Sequence, residues 1–196
     1  MHRRLSAAPW WCAVLHAFGA IGTVVFLRGG SEAGGDVGER AAWLAAHPAQ
    51  WRTGWLIWMA AAMSLLAFYA WWAARVPRRA AVVALVVAAA GLICDFAGES
   101  IFIGWMPAPG GSLYRTASLL TGGAGNGLYT LAGILLTLVT PGMPSFLRGW
   151  AWLVWASGAA LTLATIADLP AAVIASSAAL MALFIPWVVV TGMRLR

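Results

Sequence analysis

The sequence predicts an all-α fold, namely a polytopic transmembrane bundle of six helices with the N and C termini in the cytoplasm. Composition is the first reason, because the 196 residues are 62% hydrophobic and only 9% charged. Length is the second, because uncharged stretches of about 20 residues recur along the chain, and such stretches span a bilayer core of about 30 Å. The third is arginine, whose distribution differs between alternate connections.

The six predicted spans make up a single domain over residues 1–196. They cover residues 7–27, 51–74, 80–105, 118–139, 149–167 and 171–193, and each is long enough to cross the bilayer. The first run resembles a secretory signal in being preceded by basic residues. It is longer than a usual signal core, however, and no small-residue cleavage site precedes Arg28. We therefore take it as the first helix.

Arginine sets the expected orientation, because cytoplasmic connections carry the excess of basic residues. The richer side holds Arg3, Arg4, Arg75, Arg78, Arg79, Arg148, Arg194 and Arg196. The poorer side holds Arg28, Arg40, Arg52 and Arg115, together with Glu32, Asp36, Glu39 and Asp168. Both termini are therefore expected in the cytoplasm. Because the basic residues lie at the ends of apolar runs, we interpret them as topology signals. Nucleic acid is therefore not an expected partner.

Two external connections have features of their own. The first, residues 28–50, is glycine-rich and then continues as ERAAWLAAHPAQW, which predicts a short helix in the outer interface. Pro48 ends that helix and turns the chain into the second span. The second connection has a Pro and Gly turn, followed by a predicted interfacial or partly re-entrant piece that carries Tyr114 and Arg115.

Asp95 and Glu99 are the main candidate functional residues. They lie four positions apart in residues 80–105, which hold no other charge, so both carboxyl groups lie on one helical face. Ionisable groups within a span usually face the protein interior or a water-filled cavity. Counting along the helix places Asp95 deeper, so we expect it to be buried with a partner and Glu99 to lie nearer water. The alternative is that both acids only solvate the helix end.

Other polar side chains are expected at the same depth, from the fourth and fifth spans and from the outer segments. The candidate ligand-binding or ion-binding set is Asp95, Glu99, Asn126, Tyr129, Asp168, His47, Arg52 and Arg115. An arginine of this set would neutralise one acid through a bidentate pair. The residues also have structural explanations, since Asp168 would help to start the sixth helix and Arg52 would anchor the second span. No catalytic residue is assigned.

No cofactor and no metal site is predicted. His16 is the one histidine within a span. A b-type haem held by His16 would need a second axial histidine, and a zinc site would need clustered His or Cys. The fourth span opens with glycines between Gly122 and Gly127. Such a stretch predicts close helix packing and provides a face through which copies of the chain would form a homo-oligomer.

Two segments resemble small six-helix bacterial membrane proteins of unknown function. They are WLAAHPAQWRTGW, which leads into the second span, and NGLYTLAGILL in the fourth. The resemblance implies the same six-helix architecture and supplies no catalytic residue. A chain rich in Ala, Arg, Trp and Gly that has no Lys is typical of a GC-rich bacterial genome. The bacterial plasma membrane is therefore the expected location.

Three classes of function fit these features. In the first, an acidic polar cavity in the outer leaflet binds a cation, a proton or a small ligand, with a link to transport. The second is an intramembrane enzyme of the isomerase or cyclase type, with carboxylate acid–base catalysis on a lipophilic substrate. The third is a structural partner subunit of a membrane complex. We favour the first class, with the lipid bilayer and a cation or small lipophilic ligand as partners.

Overall fold

The computed structural model describes residues 7–106 and 108–195. Its helices are α1 (Ala7–Gly22), a first π-helical segment (Thr23–Leu27), α2 (Val37–Ala46), α3 (Pro48–Ala73), α4 (Arg78–Gly104), α5 (Ser112–Ser118), a second π-helical segment (Leu119–Gly125), α6 (Asn126–Val139), α7 (Ser145–Ile166) and α8 (Pro170–Arg194). The described residues contain no strand. Six helical stretches are long and apolar enough to cross a membrane. The predicted all-α fold is confirmed for the described residues, and six helices have the length and composition expected of the spans.

The fourth span begins earlier than the sequence predicts. Helix α5, the second π-helical segment and α6 continue into one another as a 28-residue stretch, Ser112–Val139. The preceding turn contains Gly110 at a φ of +79°, and Gly111 is extended where α5 begins. Tyr114 and Arg115 are therefore in the first turns of the span, and the predicted separate interfacial or re-entrant piece is wrong.

The connection between the first two spans, residues 28–47, contains the predicted short helix, α2. We call it the outer connection after the side that the sequence predicts for it. Its first turn is fixed by a capping box, in which Asp36 accepts the backbone N–H of Glu39 over 2.9 Å and the Glu39 carboxylate accepts that of Asp36 over 3.1 Å. This arrangement satisfies two N–H groups that a helix start otherwise leaves free. The chain turns at His47, and Pro48 is the first residue of α3, as the sequence predicts.

The spanning helices form a closed ring. Each packs against the next in the order α1, α3, α4, the fourth span, α7 and α8, and α8 returns to pack on α1. Large aromatic side chains fill the centre, among them Phe68, Trp72, Trp155 and Trp187. Trp72 Nε1 donates to Thr140 Oγ1 over 2.8 Å, so a buried polar atom of the core is satisfied. The ring therefore has a packed interior.

Both described chain ends lie at the same end of the bundle. A Cβ built on Gly192 would lie 2.6 Å from Cβ of Pro9, so the start of α1 touches the end of α8. Arg75, between α3 and α4, donates from Nε to the carbonyl oxygen of Leu195 over 3.2 Å. We call this the terminal end, and we call the opposite end, where α2 lies, the α2 end. This arrangement agrees with an even number of spans.

Candidate functional site

Asp95 and Glu99 lie in the half of α4 that leads to the α2 end. They are about 14 Å and about 8 Å from the Gly104 end of the helix, at about 1.5 Å per residue. Glu99 is only 1% exposed, whereas Asp95 is half-buried. The spacing of four residues places both carboxyl groups on one face of α4. Both acids thus lie within a helix that is long and apolar enough to cross a membrane, and we call them the acid pair.

Asp95 has the partner that the sequence predicts, but the expected order of burial is wrong. The hydroxyl of Tyr129 donates to Asp95 Oδ2 over 3.2 Å. Glu99, expected nearer water, is the more buried of the two acids, and its Oε2 has no hydrogen-bond partner among residues 7–106 and 108–195. The predicted depth of each acid was counted along the helix, on the assumption that the end of α4 meets water. In the structure, aromatic side chains cover that end.

These side chains form what we call the aromatic layer, consisting of Trp51, Trp55, Phe102 and Tyr114. Phe102 lies three residues after Glu99 and so shares its helical face. The Phe102 ring stacks on Trp55 at a centroid distance of 4.4 Å and meets Trp51 and Tyr114 edge-on at 5.6 and 5.2 Å. Trp51 Nε1 also donates to the carbonyl oxygen of Phe102 over 3.0 Å. The layer thus closes the α2 end above Glu99.

A cluster of charged side chains holds the aromatic layer against the outer connection. The Tyr114 hydroxyl donates to Glu32 Oε1 over 3.2 Å, and the Arg40 guanidinium lies 5.0 Å from the centre of the Tyr114 ring. Arg40 also approaches Glu32 to 3.8 Å and donates to the carbonyl oxygen of Gly30 over 3.3 Å. Cation–π and ion-pair contacts of this kind fasten the outer connection over the fourth span.

Glycine lets α4 approach the fourth span beside the acids. A Cβ on Gly125 would lie 3.1 Å from Cβ of Asp95, and one on Gly91 would lie 3.0 Å from the Tyr129 ring. A Cβ on Gly98 would be 2.6 Å from the carbonyl oxygen of Ala117. The Gly125 contact confirms the close helix packing predicted for the glycines between Gly122 and Gly127. These contacts lie within one chain, and a homo-oligomer through this face stays a prediction.

The second π-helical segment, Leu119–Gly125, ends next to Asp95. In such segments each backbone hydrogen bond spans one residue more than in an α-helix, and they are frequent at functional sites. Tyr129 follows one turn later, and its carbonyl oxygen accepts the Tyr69 hydroxyl over 2.9 Å. Tyr69 on α3 therefore supports the residue that binds Asp95.

Asn126 and His47 point away from the acid pair. Asn126 Nδ2 donates to the carbonyl oxygen of Gly158 over 2.7 Å and to Thr162 Oγ1 over 2.9 Å, both on α7. The His47 ring stacks on Trp43 at 4.8 Å. Asn126 thus joins the fourth span to α7, and His47 belongs to the end of α2.

The two arginines of the predicted set bind helix ends. Arg52 Nε donates to the carbonyl oxygen of Ile103 over 3.1 Å. Arg115 donates to the carbonyl oxygens of residues 165 and 166 over 2.6 and 2.7 Å, and lies 3.5 Å from the exposed Asp168. A guanidinium at a helix C-terminus satisfies free carbonyl groups and complements the helix dipole. Of the eight predicted residues, the structure therefore gathers Asp95, Glu99 and Tyr129.

Two residues of α3 that contact neighbours of the acids, Tyr69 and Trp55, are not predicted from the sequence. Tyr69 has no charged neighbour in the sequence that would mark it. Trp55 follows Trp51 by four positions and so shares its face of α3. This spacing could have identified Trp55 from the sequence. Trp55 Nε1 is buried and lacks a hydrogen-bond partner in the described part of the chain. The site thus extends from α4 to α3.

The atoms at the site that could bind a cation are oxygen atoms. Two carboxyl groups and one hydroxyl suit a proton or a hard cation rather than a soft metal. His16 lies elsewhere, with Nδ1 2.8 Å from the carbonyl oxygen of Cys12. Within the described ranges no three His, Cys, Asp or Glu side chains come together as metal ligands.

A depression of about 410 Å³ lies at the α2 end, between the first π-helical segment and the outer connection. None of the eight predicted site residues lines it; its walls are Val24, Val25, Arg28, Gly29, Ala33, Gly34, Trp43 and Gln50.

Comparison of the chain with family models, with curated proteins and with solved structures gives no match.

Proposed function

We propose that this protein resides in the bacterial plasma membrane and binds a proton or a cation at the pair Asp95 and Glu99. The six apolar helices support its being an integral membrane protein. The terminal end holds Arg75, Arg78, Arg79, Arg148 and Arg194, and this excess of basic residues favours the cytoplasmic side for that end. The acid pair then lies in the outer half of the membrane.

The observation that carries the proposal is the buried Glu99 Oε2 without a hydrogen-bond partner among the described residues. An ionised carboxylate within a membrane costs several kcal/mol unless it is paired. The ion pairs between described side chains are Arg40 with Glu32 and Arg115 with Asp168, so arginine does not neutralise Glu99 there. A bound proton or cation supplies the missing charge compensation.

The position of the pair supports a link to transport. Gly98 on α4 and Gly125 on the fourth span allow these two helices to come into close contact beside the acids. Binding or release of a charge at the pair changes the local electrostatic energy, and this change acts on a contact between two helices. A protein that couples site occupancy to helix packing has the elements that alternating access requires.

The test is labelling by dicyclohexylcarbodiimide, an apolar reagent that modifies protonated carboxyl groups within membranes. In vesicles at neutral pH we expect modification of Glu99, found by mass spectrometry, and slower modification as the pH rises or as a bound cation competes. Glu32, which is partly exposed at the α2 end, is the control for general acid reactivity. Failure of Glu99 to react at any pH, or a rate independent of pH and of added Na⁺, would refute the proposal.

Asp95 favours an intramembrane enzyme as the second candidate. It is half-buried and receives the Tyr129 hydroxyl, so a lipophilic substrate in the bilayer reaches it more easily than it reaches Glu99. Such a pair provides an acid and a hydrogen-bond donor that stabilises the conjugate base. Turnover of an added isoprenoid by the wild type that disappears in Asp95→Asn would favour this candidate. Proton or cation uptake in proteoliposomes would favour the first.

A further inference from the structure

Trp55 and Glu99 each hold a buried polar atom that lacks a hydrogen-bond partner among the described residues. These atoms are Trp55 Nε1 and Glu99 Oε2. An indole N–H is a donor, whereas a carboxyl oxygen accepts. Because buried polar groups are normally hydrogen-bonded, Trp55 Nε1 needs an acceptor and Glu99 Oε2 needs a donor.

The register of α3 and α4 brings the two side chains to the same level. Trp51 Nε1 donates to the carbonyl oxygen of Phe102 over 3.0 Å, which pairs the helices near their ends. The helices run antiparallel, so one turn deeper Trp55 lies opposite Glu99. The parallel stacking of Trp55 on Phe102 at 4.4 Å, a side chain on the same face as Glu99, agrees with this register.

We propose that a hydroxyl group binds between them, accepting the Trp55 indole N–H and donating to Glu99 Oε2. A hydroxyl combines an acceptor and a donor in one small group, whereas an ammonium group only donates and a carbonyl group only accepts. Water and the alcohol head of an apolar molecule share this chemistry. The aromatic layer offers apolar walls of the kind that small-molecule sites use.

This inference rests on the proposed function, because the hydroxyl binds the same carboxyl group that takes the proton or cation. The hydroxyl would give that carboxyl group a solvating partner within the membrane. Trp55 is then a ligand-positioning residue on α3, across the helix interface from the acids. The proposed charge binding and the hydroxyl site are measured separately, by carbodiimide labelling and by the resonance of one indole proton.

The experiment is NMR of the full chain, labelled with ¹⁵N-tryptophan, in lipid nanodiscs. The Trp55 indole signal is assigned by its loss in Trp55→Phe, which keeps an aromatic ring. Trp150 provides the matched control, because its Nε1 is also buried and unpartnered among the described residues, but it lies at the terminal end, away from Glu99. The wild-type measurement requires no substitution, so the result does not depend on how a variant folds.

We expect the Trp55 indole proton to show a rotating-frame Overhauser cross-peak either to water or to an alcohol. A water cross-peak that persists when 1-octanol is added identifies water, and replacement by cross-peaks to octanol identifies an alcohol site. Glu99→Gln should shift the Trp55 signal and leave that of Trp150 unchanged. Absence of both cross-peaks, or a Trp55 signal that is indifferent to Glu99→Gln, would overturn the inference. Labelling of Glu99 by the carbodiimide would still stand in that case.

Discussion

Replacing Gly98 by alanine should destabilise the contact between α4 and the fourth span. A Cβ at this position would lie 2.6 Å from the carbonyl oxygen of Ala117 and 2.7 Å from Cγ2 of Thr121. Cβ atoms essentially never come within 3.0 Å of a heavy atom from another part of the chain. The nearest obstacle is backbone, which has no rotamer to change, so the two helices must move apart next to Glu99.

The expected loss follows from two opposing contributions. Overpacking of a well-packed interface costs about 1–3 kcal/mol, whereas alanine stabilises a helix interior by about 0.5–1 kcal/mol relative to glycine. The middles of the two ranges differ by about 1 kcal/mol and their extremes by up to about 2.5 kcal/mol. This loss lowers the unfolding midpoint of a chain of this length by roughly 2–10 °C.

Thermal unfolding of the purified protein in detergent, followed by circular dichroism, measures this loss. Gly149→Ala is the matched control, because Gly149 also lies within a helix, α7, but a Cβ there would have no neighbour within 4 Å. That variant should unfold at the wild-type midpoint or slightly above it. If Gly98→Ala is as stable as Gly149→Ala, the proposed close contact beside the acids is incorrect.

Three further predictions concern the core, the outer connection and the orientation. Tyr69→Phe removes the hydroxyl that donates to the Tyr129 carbonyl oxygen, and the loss of about 1 kcal/mol should lower the unfolding midpoint by about 2–4 °C; an unchanged midpoint would contradict this. Asp36→Ala removes the N-cap of α2 at about 1 kcal/mol, so hydrogen exchange of α2 amides should accelerate about fivefold while α7 amides stay unchanged. Reporter fusions at Val76 and at the C-terminus should be cytoplasmic and one at Gly34 external; an external C-terminal reporter would reverse the orientation.

The spans were predictable because hydrophobic length is a local property of the sequence. Residues 170–194 and 78–104 hold few charges over a membrane-spanning length, and no tertiary contact is needed to recognise them. The start of the fourth span was missed because polar residues such as Ser112 and Arg115 resemble a connection. Arg115 is tolerated inside the helix because two carbonyl oxygens at the end of α7 accept its N–H groups, and that neighbour is not visible in the sequence.

The site was predictable only in part. Helical spacing placed Asp95 and Glu99 on one face, but their relative burial depends on which side chains cover the end of α4. Trp51 and Tyr114, from two other elements, supply that cover. The same reasoning applies to Arg52, whose charge suggested an acid as partner. Its Nε donates instead to the carbonyl oxygen of Ile103, because backbone carbonyl groups at a helix C-terminus are free to accept.

Because α4 is long, the position of its two acids in the membrane depends on the thickness of the bilayer. With 27 residues the helix is about 40 Å long, which exceeds a hydrocarbon core of about 30 Å. A tilt of about 40° brings the whole helix within the core, and a thicker membrane reduces that tilt. Since the acids lie toward one end of the helix, tilting changes their distance from the lipid headgroups. Lipids with longer acyl chains therefore move Asp95 and Glu99 relative to the water boundary without any change in the protein sequence.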